Sequence, residues 1–187
     1  GIFIYVPKNV EIKEPLQAVF LRDNKDASLF NHALIVADEN SQVTYVENYI
    51  STVEGAGLAN ILTEVIAENG AKVLYGAEDT LTKDVVTYVN RRGVAGNDAT
   101  IEWALGQMND GNTISENVTN LVGNGSNSNA KTVVVGRGEQ KQNFTTNIRH
   151  FGKNSEGFIL SHGVMKDSAS AIFNGIGKIE HGASKAN

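Results

Sequence analysis

Four histidines, His32, His150, His162 and His181, are the side chains in this sequence best suited to metal or proton chemistry. They are scattered. None forms an H-x-x-x-H pair, and none has a carboxylate at metal-ligand spacing. His150 and His162 fall at the ends of neighbouring strand patterns, so stacking of those strands would let them share a metal or a proton. A surface or capping role is the simpler expectation for both. His181 occupies a turn and is expected to serve the turn. Arg91, Arg92 and Arg149 are the available bases for a polysaccharide-lyase chemistry, but no acidic cluster accompanies them in sequence to hold calcium. Glu102, Glu116 and Asp110 offer no evident acid–base pair and read as solvated positions.

Cysteine is absent, which excludes disulfides, thiol nucleophiles and thiolate-held zinc or iron–sulfur groups within these residues. Gly136-Arg137-Gly138 lacks the third glycine and following helix of a dinucleotide fingerprint, so it reads as a turn. Gly152-Lys153 and Gly177-Lys178 lead into Asn154 and Ile179, where a phosphate loop needs Ser or Thr. Asn117-Val118-Thr119 is a glycosylation pattern that arises by chance in an Asn-rich chain. No catalytic, cofactor-binding or metal residue is therefore assigned, and neither independent catalysis nor a cofactor is expected.

The composition narrows the partners. A formal charge of −5 without a Lys/Arg cluster argues against nucleic acid. No apolar run approaches the roughly 18 residues of a membrane-spanning helix. With 41% hydrophobic residues, the chain has the material for a sizeable core.

The elements that must position these side chains are strands. Short β-branched and aromatic segments, bounded by Gly, Asn, Asp and Ser, are expected at 2–6, 17–21, 33–37, 42–47, 61–67, 72–75, 85–90, 100–105, 132–135, 143–149, 158–161 and 171–179. Val43-Thr44-Tyr45-Val46-Glu47 and Thr100-Ile101-Glu102-Trp103-Ala104 alternate, implying one buried and one wet face, with Trp103 inside. Residues 52–68 also admit a helical reading, but Gly55 and Gly57 interrupt it, so at most a few helical turns are expected. No proline follows Pro15, which suits strands paired on both sides.

The turns repeat. A polar turn centred on Asn or His, followed by a small residue and a strand, occurs at Asn40, Asn69, Asn97, Asn124, Asn154 and His181, at intervals of 29, 28, 27, 30 and 27 residues. A near-constant period of this size marks a repeat architecture. Each period accommodates two strands and two turns, the coil of a parallel β-helix. An antiparallel sandwich is the weaker alternative, because tight Asn-Gly hairpins between adjacent strands are few. The asparagines and glycines are expected there because both tolerate left-handed backbone. The chain begins inside a strand pattern at Gly1-Ile2-Phe3-Ile4 and ends in a polar turn at Lys185-Ala186-Asn187. Both ends read as cut, so residues 1–187 are expected to be a central β-helix core fragment without a second domain. An exposed terminal coil would favour a homodimer.

A set of ordered motifs resembles the SufB/SufD family of iron–sulfur cluster assembly proteins. They are Gly1-Ile2-Phe3-Ile4-Tyr5-Val6-Pro7-Lys8, Glu14-Pro15-Leu16-Gln17, Asn90-Arg91-Arg92-Gly93-Val94, His150-Phe151-Gly152-Lys153-Asn154 and Ser161-His162-Gly163-Val164. Relatives of the SufB branch carry a cysteine implicated in accepting sulfur where this chain has Ala95. The segment Ala171-Ile172-Phe173-Asn174-Gly175-Ile176-Gly177 is similar to the SufD branch. The resemblance implies a right-handed parallel β-helix with two strands per coil. It further implies a cytoplasmic scaffold in a complex with SufB and the ATPase SufC, with the cluster held transiently by the complete complex. The histidine and helical SufC-docking region of the SufD branch would lie beyond Asn187. A polysaccharide-lyase-like enzyme and a surface adhesin solenoid are the rival readings.

Overall fold

A computed structural model describes residues 1–187 and contains thirteen strands and no helix. They are β1 Ile2–Val6, β2 Leu16–Arg22, β3 Leu29–Ala37, β4 Gln42–Ser51, β5 Gly57–Ala67, β6 Lys72–Thr80 and β7 Val85–Ala95. After them come β8 Thr100–Gln107, β9 Thr113–Leu121, β10 Asn127–Gly136, β11 Lys141–His150, β12 Glu156–Met165 and β13 Ser170–Ile179. The odd strands form one seven-stranded sheet and the even strands one six-stranded sheet, each in sequence order. Every ladder is parallel. The chain is thus a flattened β-solenoid with two strands per coil, as the repeat spacing implies, and the sandwich reading is wrong. The segment open to a helical reading is strand β5 from Gly57 onward.

The repeated turn forms a ladder of its own. Asn40 N–H donates to Asn69 O at 2.9 Å, Gly70 N–H to Asn97 O at 2.8 Å, Asp98 N–H to Asn124 O at 2.9 Å and Gly125 N–H to Lys153 O at 2.8 Å. The left-handed residues are Asn40, Gly70, Asp98, Gly125, Asn154 and Gly182. Asn69, Asn97 and Asn124 therefore occupy a different slot from the one expected. Each uses its side-chain carbonyl instead: Asn69 Oδ1 accepts from Asn97 N–H, Asn97 Oδ1 from Asn124 N–H, and Asn124 Oδ1 from Lys153 N–H, at 2.8–2.9 Å. The amide side chain completes a backbone donor that the next coil leaves free at the corner. Small residues follow each turn because the two sheets converge there: Ser41, Ala71, Ala99, Ser126, Ser155 and Ala183 are all buried in one column.

Between the sheets, inward residues stack coil on coil. One column of the even-strand sheet runs Leu16, Tyr45, Tyr75, Trp103, Ala130 and Ile159. One column of the odd-strand sheet runs Ile4, Ile35, Val65, Gly93, Thr119 and Ile148. Gly93 gives Trp103 its space: a Cβ there would lie 3.0 Å from Trp103 Cζ2. The interior changes character along the axis. Early coils are filled by Val, Ile, Ala and Tyr, whereas β9 turns Thr113, Ser115, Asn117 and Thr119 inward.

Candidate functional site

Alternation places charge inside this core. In β4 the inward residues are Val43, Tyr45, Glu47 and Tyr49; in β6 they are Val73, Tyr75, Ala77 and Asp79; in β7 they are Val85, Thr87, Val89 and Arg91. Glu47, Asp79 and Arg91 are each 0% exposed. Buried charges must be paired and hydrogen-bonded, so their neighbours decide whether the site is tolerable.

Glu47 is well supplied. Oε2 accepts from the Tyr45 hydroxyl at 3.0 Å, and Oε1 accepts from Thr63 Oγ1 at 3.2 Å and from the Tyr75 hydroxyl. Asp79 is less well supplied. Its Oδ2 accepts from Gln107 Nε2 at 2.8 Å and lies 3.6 Å from Arg91 Nη2, while Oδ1 has no hydrogen-bond partner. Arg91 donates from Nε to Tyr75 Oη at 3.3 Å, and its guanidinium carbon lies 5.5 Å from the centroid of that ring. Its Nη1 finds no hydrogen-bond partner, nor does either amide atom of Asn117, which sits beside Arg91 in the next coil.

Burial pushes the Asp79 carboxyl up, and the Arg91 charge and Gln107 amide only partly oppose it. Burial alone would lower the Arg91 pKa; Tyr75 and the carboxylates Asp79 and Glu47 reverse that and hold it above its ordinary value. Burial also raises the Tyr45, Tyr49 and Tyr75 phenols far above their usual range. The cluster is a buried polar network spanning three coils, with an aromatic column along one side. Tyr75 touches Trp103 edge-on with ring centroids 5.1 Å apart, and Trp103 Nε1–H donates to Thr119 Oγ1 at 2.9 Å.

The candidate residues from sequence separate. His150 and His162 do not meet. His150 points inward at the end of β11, 4% exposed, with Nδ1 2.9 Å from Ser155 Oγ, and burial lowers its pKa. Ser155 Oγ donates to Gly152 O at 2.9 Å, so His150 Nδ1 carries the proton and Nε2 is bare. His162 is exposed on the other sheet, paired in register with Val133. His32 forms an exposed pair with Glu64 at 2.8 Å, and His181 lies in a turn. Arg91 does have carboxylates beside it, contrary to the sequence reading, because Glu47 and Asp79 arrive from other coils; it is buried beyond the reach of a polymer substrate. Arg92 faces outward and pairs with Glu116 at 2.9 Å, and Asp110 pairs with Arg137 at 2.5 Å. Trp103 is inside, and Gly136–Gly138 forms a turn into β11. Ala95 is fully buried at the narrow edge, in register between Ala67 and Leu121. A surface concavity of about 590 Å³, lined by Lys83, Asp84, Asp110, Asn112, Arg137 and Gln140 among others, holds no hydrophobic residue.

Residues 20–187 match the family described as SUF system FeS cluster assembly, SufBD core domain. The chain belongs to the SufB/SufD family. It is 66% identical over 189 residues to the iron–sulfur cluster assembly protein SufD of Bacillus subtilis, which covers all of this chain and 43% of that relative. Against SufB of the same organism, identity is 28% over 177 residues, or 94% of this chain and 38% of the relative. A SufBD family protein of Staphylococcus saprophyticus gives 28% over the same span. The chain therefore stands with SufD within the SufB/SufD family, and it spans less than half the length of these relatives. The inward parity of Glu47 and Asp79 was a readable signal for the buried cluster, because each follows apolar residues two and four positions earlier, whereas Arg91 follows Val89 and the polar Thr87.

Proposed function

We propose that this chain is the β-solenoid core of a scaffold subunit for iron–sulfur cluster assembly, acting in the cytoplasm with SufB and SufC and without turnover of its own. The observation that carries this reading is the match to the SufBD core over residues 20–187, with 66% identity to a SufD protein. The architecture suits the role. Continuous ladders and stacked turns make a stiff body whose outer faces keep their relative positions, and a scaffold works by holding partners in fixed geometry. The cluster is cargo in this reading, and its thiolate ligands come from outside these cysteine-free residues. Self-pairing of the solenoid belongs to the same reading, and light scattering on the chain tests that part separately.

The deciding experiment expresses the full-length protein with SufB and SufC, purifies through a tag on the protein, and follows cluster formation by absorbance. Co-purification and a cluster yield that falls when the protein is omitted are expected. Recovery of the protein alone, with cluster assembly unchanged by its omission, would overturn the scaffold reading.

A further inference from the structure

The parallel register lines up three aromatic rings at one position of successive strands, Tyr45, Tyr75 and Trp103. Their centroids are 6.0 Å and 5.1 Å apart. Rings this close exchange electrons readily, so the resting place of an oxidising equivalent depends on where each ring sends its proton. Trp103 Nε1–H donates to the Thr119 hydroxyl, which is not a base. Tyr75 donates its phenolic hydrogen to the Glu47 carboxylate. An oxidised indole at Trp103 thus keeps its proton and a positive charge in a desolvated core. An oxidised phenol at Tyr75 releases its proton along an existing hydrogen bond. The Arg91 guanidinium, 5.5 Å from the Tyr75 ring centroid, disfavours a second positive charge on that ring and ties electron loss there to proton loss.

We propose that Trp103 and Tyr75 form a one-electron relay in which an oxidising equivalent arriving at Trp103 settles on Tyr75 as a neutral phenoxyl radical, with Glu47 as proton acceptor. In the first step an outer-sphere one-electron oxidant removes one electron from Trp103 and leaves an indole radical cation. In the second, one electron passes from Tyr75 to Trp103 while the phenolic proton moves to Glu47 Oε1. The products are neutral Trp103, the Tyr75 phenoxyl and a protonated Glu47. A thiolate then supplies one electron, becoming a thiyl radical; the phenoxyl becomes phenolate and recovers its proton from Glu47. Tyr75 is fully buried, so its radical is shielded from coupling with a second radical in solution. The relay gives the solenoid a sink for oxidising equivalents, independent of its role as scaffold.

The competing tyrosines in these residues are the buried Tyr45, which donates to the other Glu47 oxygen at 3.0 Å, the buried Tyr49, the exposed Tyr5, which donates to Asp38 at 2.6 Å, and the exposed Tyr88. Loss of the signal in Tyr75→Phe separates Tyr75 from Tyr45 and Tyr49. The full-length protein is oxidised by flash-quench with a ruthenium polypyridyl sensitiser and persulfate, then read by transient absorption and electron paramagnetic resonance. An indole radical cation should decay into a tyrosyl signal, more slowly in D2O than in H2O. Trp103→Phe should remove the part of the indole signal that decays into tyrosyl and Tyr75→Phe the tyrosyl signal that grows from it, whereas Tyr5→Phe/Tyr88→Phe should keep both. Glu47→Gln should leave the indole cation as the long-lived species. The relay is overturned by a tyrosyl yield unchanged in Tyr75→Phe, by its loss in Tyr5→Phe/Tyr88→Phe, or by an indole decay indifferent to D2O. The isotope measurement uses unaltered protein and decides the matter if Glu47→Gln fails to fold.

Discussion

Replacing Arg91 by leucine tests whether the buried cluster is held together by charge. Leucine keeps much of the apolar volume and removes the guanidinium. Glu47 survives the change, because its hydrogen bonds from Tyr45, Thr63 and Tyr75 remain. Asp79 does not: it keeps only the Gln107 amide on Oδ2, and its Oδ1 is already without a partner. Breaking a buried pair by removing one member costs about 3–5 kcal/mol. That loss should appear in urea unfolding near neutral pH, followed by circular dichroism and Trp103 fluorescence. Its pH dependence has a definite sign. Asp79 already has a raised pKa in the folded state, and removal of Arg91 raises it further. A carboxyl with a raised folded pKa costs nothing below its unfolded value of about 3.9, where it is protonated in both states. The cost accumulates as pH rises through the folded pKa. Arg91→Leu should therefore be least harmful at acid pH and more harmful as pH rises through the raised folded pKa. Adding Asp79→Leu should recover most of the loss, since exchanging a whole buried pair for apolar residues is often neutral or stabilising. A single variant within about 1 kcal/mol of the parent at neutral pH would refute the claim that this pair is structurally coupled.

Three further outcomes follow from the packing. Gly93→Ala places a Cβ 3.0 Å from Trp103 Cζ2 and 3.2 Å from both Ile101 Cδ1 and Thr119 Cγ2, so it should destabilise by about 1–3 kcal/mol. Gly177→Ala, in the same column with nothing within 4 Å, should stay within about 0.5 kcal/mol; thermal unfolding of both checks the contrast. Asn97→Ala removes the acceptor for Asn124 N–H and should cost about 1 kcal/mol, with faster hydrogen exchange at the Asn124 amide, whereas Asn97→Asp should protect that amide. His150, its folded pKa lowered by burial, is neutral above its unfolded value of about 6.5 and adds no penalty there. As pH falls below that value the unfolded chain takes up the proton first, so stability declines toward the folded pKa, and His150→Gln should flatten that part of the stability profile.

The coil architecture was legible because its two signals, strand alternation and turn period, are local. Twelve of the thirteen strands coincide with segments expected from sequence, and β9 is the exception. Apart from Leu121 at its end, its inward face is Thr113, Ser115, Asn117 and Thr119, while Ile114 points to solvent, so over most of the strand the hydrophobic pattern that announces the other strands is inverted. The asparagine ladder was found in position and misread in mechanism, because the left-handed slot and the side-chain acceptor slot are adjacent in the same turn. The meeting of Arg91 with Asp79 and Glu47 was not legible as a contact. These residues lie on three strands in two sheets, and only coil stacking brings them together.

The same geometry explains why the histidines gave so little and the interior so much. In a two-strand coil, parity decides whether a side chain meets solvent or the core, and register decides which coil it meets there. His150 and His162 differ in both sheet and parity, so nearness in sequence brought them no nearer in space. Glu47 and Tyr75 lie 28 residues apart, one period, and Tyr75 and Trp103 are separated by the same interval. A solenoid thus turns a sequence interval into an axial contact. Its chemistry is to be sought in residues of like parity one period apart, which is where the buried carboxylate, the phenol and the indole converge.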